Sequence, residues 1–216
     1  MQIDSLIIEL TRKCNLKCEH CLRGRAQRKD IDPITVCKFL HRNKIDYIND
    51  LTFTGGEPCL NPYAMRVIAN YLAKNKVQIN MFYMATNGTV FDYSMIEPLT
   101  KIHSLCDPEY FMIEISKDDY HDNHKNIHNV WNLIAHSERK GNGRIIAEGK
   151  GININPYGQI PKDSTWTWDA EDPDRMENGE IYINALGMIC KDCDYSYATQ
   201  KKRNIGHCLS KPLKEF

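Results

Sequence analysis

The chain has no net charge: 28 lysines and arginines balance 28 aspartates and glutamates over 216 residues. Such a balance gives no general electrostatic pull toward nucleic acid or an anionic membrane. There is no apolar stretch of transmembrane length, and the N-terminus lacks the basic region and long apolar core of a signal peptide. Internal repeats and low-complexity tracts are also missing, which sets repeat architectures aside. These absences point to a cytoplasmic protein whose partners are neither nucleic acid nor membrane. The length suffices for one good-sized domain, or one domain with a small appendage, and for a substantial core. What the chain does have is nine cysteines. In a reducing compartment they argue for metal or catalytic thiols, not for a disulfide framework.

Three of the nine, Cys14, Cys18 and Cys21, are separated by three and then two residues. That spacing can turn three sulfurs toward one point from a single short loop. Thiolates hold iron–sulfur clusters, and three ligands to a four-iron cube leave one iron open for chemistry. Closely spaced cysteines also build structural zinc sites; the run lacks an obvious fourth zinc ligand, although His20 lies inside it.

Strand-like runs alternate with helix-like ones for the first two thirds. Strands are predicted at 4–10, 51–54, 77–85, 110–115 and 144–147, and helices at 33–44, 62–74, 94–103 and 126–139. Repeated alternation implies parallel strands with right-handed crossovers. The expected fold is therefore α/β, an open, partial (β/α)6-type parallel barrel, with a small cysteine-containing C-terminal extension. The barrel is expected over 1–155. Residues 156–216 would hold an irregular linker, a strand at 180–186 and a metal-binding tail. The cysteine loop follows the first strand, and Gly55-Gly56-Glu57-Pro58 follows the second. Two glycines there let the backbone approach a ligand without side-chain obstruction. Asn87 ends the third strand and Ser116 the fourth, on the same rim; both residue types also suit ordinary turns.

With the cysteine trio, His20 and the Gly-Gly-Glu-Pro turn in this order, the chain resembles the radical S-adenosylmethionine (radical SAM) enzymes. The resemblance implies that Cys14, Cys18 and Cys21 bind a [4Fe–4S] cluster, whose open iron is chelated by SAM. Reductive cleavage then gives a 5′-deoxyadenosyl radical that abstracts a substrate hydrogen. It places His20 near the adenine, and Gly55, Gly56, Glu57 and Pro58 at the methionyl end. Polar residues such as Asn87 and Ser116 would take the ribose and carboxylate. A one-electron reductant, such as flavodoxin or ferredoxin, is an implied partner.

Cys190, Cys193 and Cys208 form a second signal, since Cys-x-x-Cys is a common half-site for zinc or iron–sulfur. Residues 179–208 partly resemble the SPASM and twitch extensions of some radical SAM enzymes. A second iron–sulfur cluster is one reading; zinc with His207, or no metal, are the others. A twitch-like tail favours a peptide or protein side chain as substrate. With Cys14 this near the N-terminus, no leader-binding domain is expected before the barrel, so a separate partner would present such a substrate. The alternatives are a glycyl-radical activase, a small-molecule enzyme, or a zinc-stabilised binding module without catalysis. Cys37 reads as a core residue, while Cys59 and Cys106 carry no assigned role.

Overall fold

The computed structural model describes residues 1–18, 21–90, 93–107, 110–116, 144–146, 180–190, 193 and 195–215, with the backbone alone at 115, 144–146 and 215. His20, the helix expected over 126–139 and the 155/156 boundary lie outside these residues.

Among the described residues eight strands form one sheet: β1 (Gln2–Thr11), β2 (Tyr47–Gly55), β3 (Gln78–Thr86), β4 (Phe111–Ile115), β5 (Arg144–Ile146), β6 (Glu180–Ile183), β7 (Met188–Cys190) and β8 (Asn204–His207). Their order is β5-β4-β3-β2-β1-β6-β7-β8. The first six in that order are mutually parallel, and β7 and β8 are antiparallel additions. The architecture is the expected α/β one, a mostly parallel sheet of the partial-barrel kind. The tail is joined to it directly, because β6 pairs with β1 through Leu6 opposite Ile181 and Ile8 opposite Ile183.

Strand alternation sorts the side chains into two faces. Leu6, Leu51, Phe82 and Phe111 lie in register, as do Ile8, Phe53, Met84 and Ile113. These rows pack into the main core with α1 (Pro33–Arg42), α2 (Pro62–Lys74) and α3 (Ile96–His103). Phe82 stands edge-on to Phe53 at 5.4 Å and stacks on Phe111 at 5.0 Å, both within the favoured range for aromatic pairs. Ile7 faces the other way, into a second cluster with Tyr182, Cys190 and Tyr195.

Helix starts are written in the sequence. Asp32 accepts from the Ile34 amide at 3.0 Å and precedes Pro33. Asn61 accepts from the Ala64 amide at 3.1 Å and precedes Pro62. Both are N-cap residues followed by a proline in the first turn. Asn61 also donates to the Leu10 carbonyl at 2.8 Å, which pins α2 to the end of β1.

Candidate functional site

Parallel strands end on one edge, so the segments after β1, β2, β3 and β4 converge there. The segment after β1 carries Cys14, Cys18 and Cys21, none of them in a disulfide and all half-buried. Its turn is closed by the Cys21 amide on the Cys18 carbonyl at 3.2 Å and the Gly24 amide on the Cys21 carbonyl at 3.1 Å. Cys14 Sγ accepts from the Leu16 amide at 3.4 Å and lies 3.9 Å from Asn87 Nδ2. Burial raises the Cys14 thiol above its ordinary value, with the nearby Glu57 and Cys21 charges adding to it, while those two donors oppose the shift.

The Gly55-Gly56-Glu57-Pro58 turn is pressed against the base of this loop. The Gly56 amide donates to the Thr11 carbonyl at 2.7 Å, and the Glu57 amide to the Lys13 carbonyl at 2.8 Å. A Cβ on Gly55 would sit 2.4 Å from the Thr11 oxygen, and one on Gly56 2.3 Å from the Lys13 oxygen. Glycine is thus required here by the protein's own backbone, where sequence reasoning expected room for a ligand.

Glu57 points inward and is 1 % exposed. Its Oε1 accepts from the Cys59 amide at 3.0 Å and the Thr86 hydroxyl at 2.7 Å, and its Oε2 from the Asn87 amide at 2.8 Å. Burial pushes its carboxyl above the ordinary value, against the pull of these donors. The carboxylate thereby ties the end of β2 to the end of β3. Asn87 continues the bracket, donating to Asn15 Oδ1 at 3.0 Å, while Asn15 donates to Thr89 Oγ1 at 2.6 Å. Ser116 is held beside Thr86, its amide on the Thr86 carbonyl at 2.8 Å. Pro58 and Cys59 are buried in a 3-10 turn, with Cys59 Sγ 3.3 Å from the Thr86 hydroxyl.

The structure therefore gathers Cys14, the glycine turn, Glu57, Asn87 and Ser116 at one edge. Thr86 and Asn15 join them, and sequence reasoning missed both. A polar residue closing the apolar run 81–85 was the available signal for Thr86.

The chemistry of the donors suits an iron–sulfur group, with three cysteine thiols on one short loop and amide donors directed at the Cys14 sulfur. In the tail, Cys190 and Cys193 share the second apolar cluster, whereas Cys208 is buried in the main core. The structure does not bring Cys208 to the other two. His207 Nδ1 accepts from the Leu209 amide at 3.2 Å. Among the described residues, no group of three or more His, Cys, Asp or Glu side chains is drawn together as a metal site.

Residues 8–139 match the model of the Radical SAM superfamily. The chain belongs to the radical SAM superfamily. That is a family of enzymes, and its sequence relatives include GTP 3′,8-cyclases. The one from Clostridium acetobutylicum is 36% identical over 90 residues, covering 40% of this chain and 28% of the relative. An uncharacterised protein of Methanocaldococcus jannaschii is 33% identical over 104 residues, covering 45% of this chain and 35% of that protein. The radical SAM chain thus spans about a third of the length of the curated relatives it matches. Two solved structures share the fold. Native anSMEcpe with bound AdoMet and Cp18Cys peptide aligns over 100% of this chain and 80% of its own, with TM-score 0.58 and 14% identity. Streptococcus suis SuiB bound to its precursor peptide SuiA aligns over 98% and 63%, with TM-score 0.52 and 13% identity. No helix among the described residues is long and apolar enough to cross a membrane.

Proposed function

We propose that this protein is a cytoplasmic radical SAM enzyme that modifies a peptide or protein side chain. The observation that carries the reading is the loop of three cysteines bracketed by the Gly55–Pro58 turn and Asn87. Cys14, Cys18 and Cys21 hold the [4Fe–4S] cluster. When bound and reduced, that cluster would supply the electron that cleaves SAM to the 5′-deoxyadenosyl radical, which would take a substrate hydrogen.

The remaining roles belong to the chain's own residues. The amides of Gly56 and Glu57 already bind the cysteine loop, so the turn offers carbonyl acceptors, which suit the N–H donors of the SAM amine. Asn87 and Ser116 lie on the same edge to receive the ribose and carboxylate, and His20 is assigned to the adenine by its place in the loop. The buried Glu57 keeps the β2 and β3 ends in register with the loop, so the loop enters the reaction already ordered.

Peptide chemistry is favoured by coverage. The two structures solved with peptides align over nearly the whole chain, tail included, whereas the GTP 3′,8-cyclases match 40% and 42% of it. A second reading, a small nucleotide-like substrate, rests on the higher identity of those shorter matches. For the electron donor, the thiol loop supplies charge. Lys17, Arg25, Arg28 and Lys29 are exposed around it on a chain of zero net charge. A cationic rim steers an acidic carrier such as flavodoxin or ferredoxin toward the cluster. A second cluster or a zinc ion on Cys190 and Cys193 belongs to the same proposal, with its other ligands to be found away from Cys208.

The test pairs anaerobically reconstituted protein with candidate substrates and follows 5′-deoxyadenosine. Stimulation by a peptide pool but not by nucleotides supports the peptide reading, and the reverse replaces it with the second.

A further inference from the structure

Both shoulders of the cysteine loop are held by the far end of the chain. Arg12 stands two residues before Cys14, and Arg23 two residues after Cys21. The Arg12 guanidinium is buried and fully directed: Nε donates to Glu9 Oε1 at 3.1 Å, one terminal nitrogen to Gln27 Oε1 at 3.1 Å and the other to Gln200 Oε1 at 2.6 Å. It also lies 4.5 Å from the centre of the Tyr197 ring. Arg23 donates to the Tyr195 carbonyl at 3.0 Å, its own carbonyl accepts from the Tyr197 amide at 3.1 Å, and its guanidinium is 5.2 Å from the Tyr182 ring.

The holding groups are themselves locked together. Tyr182 donates to Glu9 Oε2 at 3.0 Å, and the Ala185 amide donates to the same oxygen at 3.1 Å. Gln200 Nε2 donates to the Tyr182 hydroxyl at 3.2 Å and to the Tyr195 carbonyl at 3.1 Å. Asn184 donates to Gln200 Oε1 at 3.2 Å and lies 3.7 Å from Cys190 Sγ. The short helix α4 (Tyr197–Arg203) presents Gln200, and Ser196 caps it by accepting from the Thr199 amide at 3.2 Å.

An ion pair as buried as Glu9 with Arg12, at 0% and 3% exposure, is a poor source of stability, because desolvation offsets its attraction. What such a network supplies is direction, since its donors are turned to fixed acceptors. We propose that Tyr182, Asn184, Tyr195, Tyr197 and Gln200 form a clasp that fixes the geometry of the cysteine loop, with Arg12 and Arg23 as its positioning residues. The inference rests on the reading that this loop holds the cluster. It gives the tail a role in the primary site that is independent of any metal in the tail.

The test compares Gln200→Met, which removes the clasp's central acceptor and donors, with Ile183→Val, a core change on the opposite face of β6 from Tyr182. Apo protein is treated with iodoacetamide, and alkylation of Cys14, Cys18 and Cys21 is followed by peptide mass spectrometry. Reconstituted protein is then followed for iron loss to a chelator and for the electron paramagnetic resonance of the reduced cluster with SAM. The clasp predicts at least fivefold faster alkylation and iron loss in Gln200→Met, with an altered spectrum, and wild-type behaviour in Ile183→Val. Rates within twofold of wild type in Gln200→Met, or equal changes in both variants at matched thermal stability, overturn it. If Gln200→Met does not fold, Tyr182→Phe, which removes one hydroxyl, is judged by the same criterion. Wild-type protein that takes up no iron contradicts the cluster reading, and the apo alkylation rates still decide the clasp.

Discussion

Replacing Gly56 with alanine separates two explanations of the Gly-Gly turn. The added Cβ would meet the Lys13 oxygen at 2.3 Å and its carbonyl carbon at 2.8 Å, backbone atoms that no rotamer change can move. Relief requires the turn and the cysteine loop to part, which breaks the Gly56–Thr11 and Glu57–Lys13 hydrogen bonds. Two such bonds contribute about 1 kcal/mol each. Forcing a methyl group into a packed contact costs about 1–3 kcal/mol more. The sum, about 3–5 kcal/mol, is a large part of a typical domain's stability of about 5–15 kcal/mol. At about 2–4 °C per kcal/mol for a chain of this size, the melting temperature falls by roughly 6–20 °C. Circular dichroism melts of the reduced apo protein measure this without any bound group. A melting point within about 2 °C of wild type, with iron uptake alone impaired, would refute the reasoning and return the glycines to a purely ligand-facing role.

Three further outcomes follow from the same geometry. Asn61→Ala removes the cap of α2 and one of the two donors to the Leu10 carbonyl, which keeps the Ile31 amide at 3.0 Å. A loss of about 1–3 kcal/mol is expected in denaturant melts, and a loss under about 0.5 kcal/mol would contradict the double role. Burial pushes the Cys106 and Cys190 thiols up to about 12 and those of Cys37 and Cys208 up to about 11. The fold therefore keeps protons that the unfolded chain releases near pH 9, so their stabilisation is full below pH 9 and lost as pH rises toward 12. The melting temperature should hold steady from pH 7 to 8.5 and then fall, and a rise above pH 9 would count against it. Glu57→Gln turns an amide donor toward the donors that Glu57 now accepts, so a loss of about 1–3 kcal/mol is expected, and an unchanged melt would show that the bracket carries no weight.

Much of the sheet was legible because buried parallel strands read as short apolar runs closed by turn residues. Leu6-Ile7-Ile8 and Phe82 to Thr86 are such runs, and α2 appears at its predicted bounds because Asn61 and Pro62 mark its start. The tail was harder. β7 and β8 have three and four residues and α4 has seven, too few to show a period. β6 stops at Ile183, short of the predicted 186, because Asn184 Oδ1 takes the Leu186 and Met188 amides and Gly187 turns the chain at φ 74°. The pairing of β6 with β1 joins residues about 175 positions apart, and no local pattern carries it. The same limit applied to the site. The cysteine spacing stood out in one loop, but the burial of Glu57 and the reach of Gln200 to Arg12 exist only once distant strands have met.

The most direct measurement is anaerobic reconstitution with iron and sulfide, then dithionite and SAM, with 5′-deoxyadenosine followed by chromatography. Wild type should bind iron and release deoxyadenosine, and Cys14→Ala/Cys18→Ala/Cys21→Ala should release none, with any iron it retains reporting a tail cluster. Zinc in place of iron, and no SAM cleavage by wild type, would contradict the account and leave a metal-stapled binding domain.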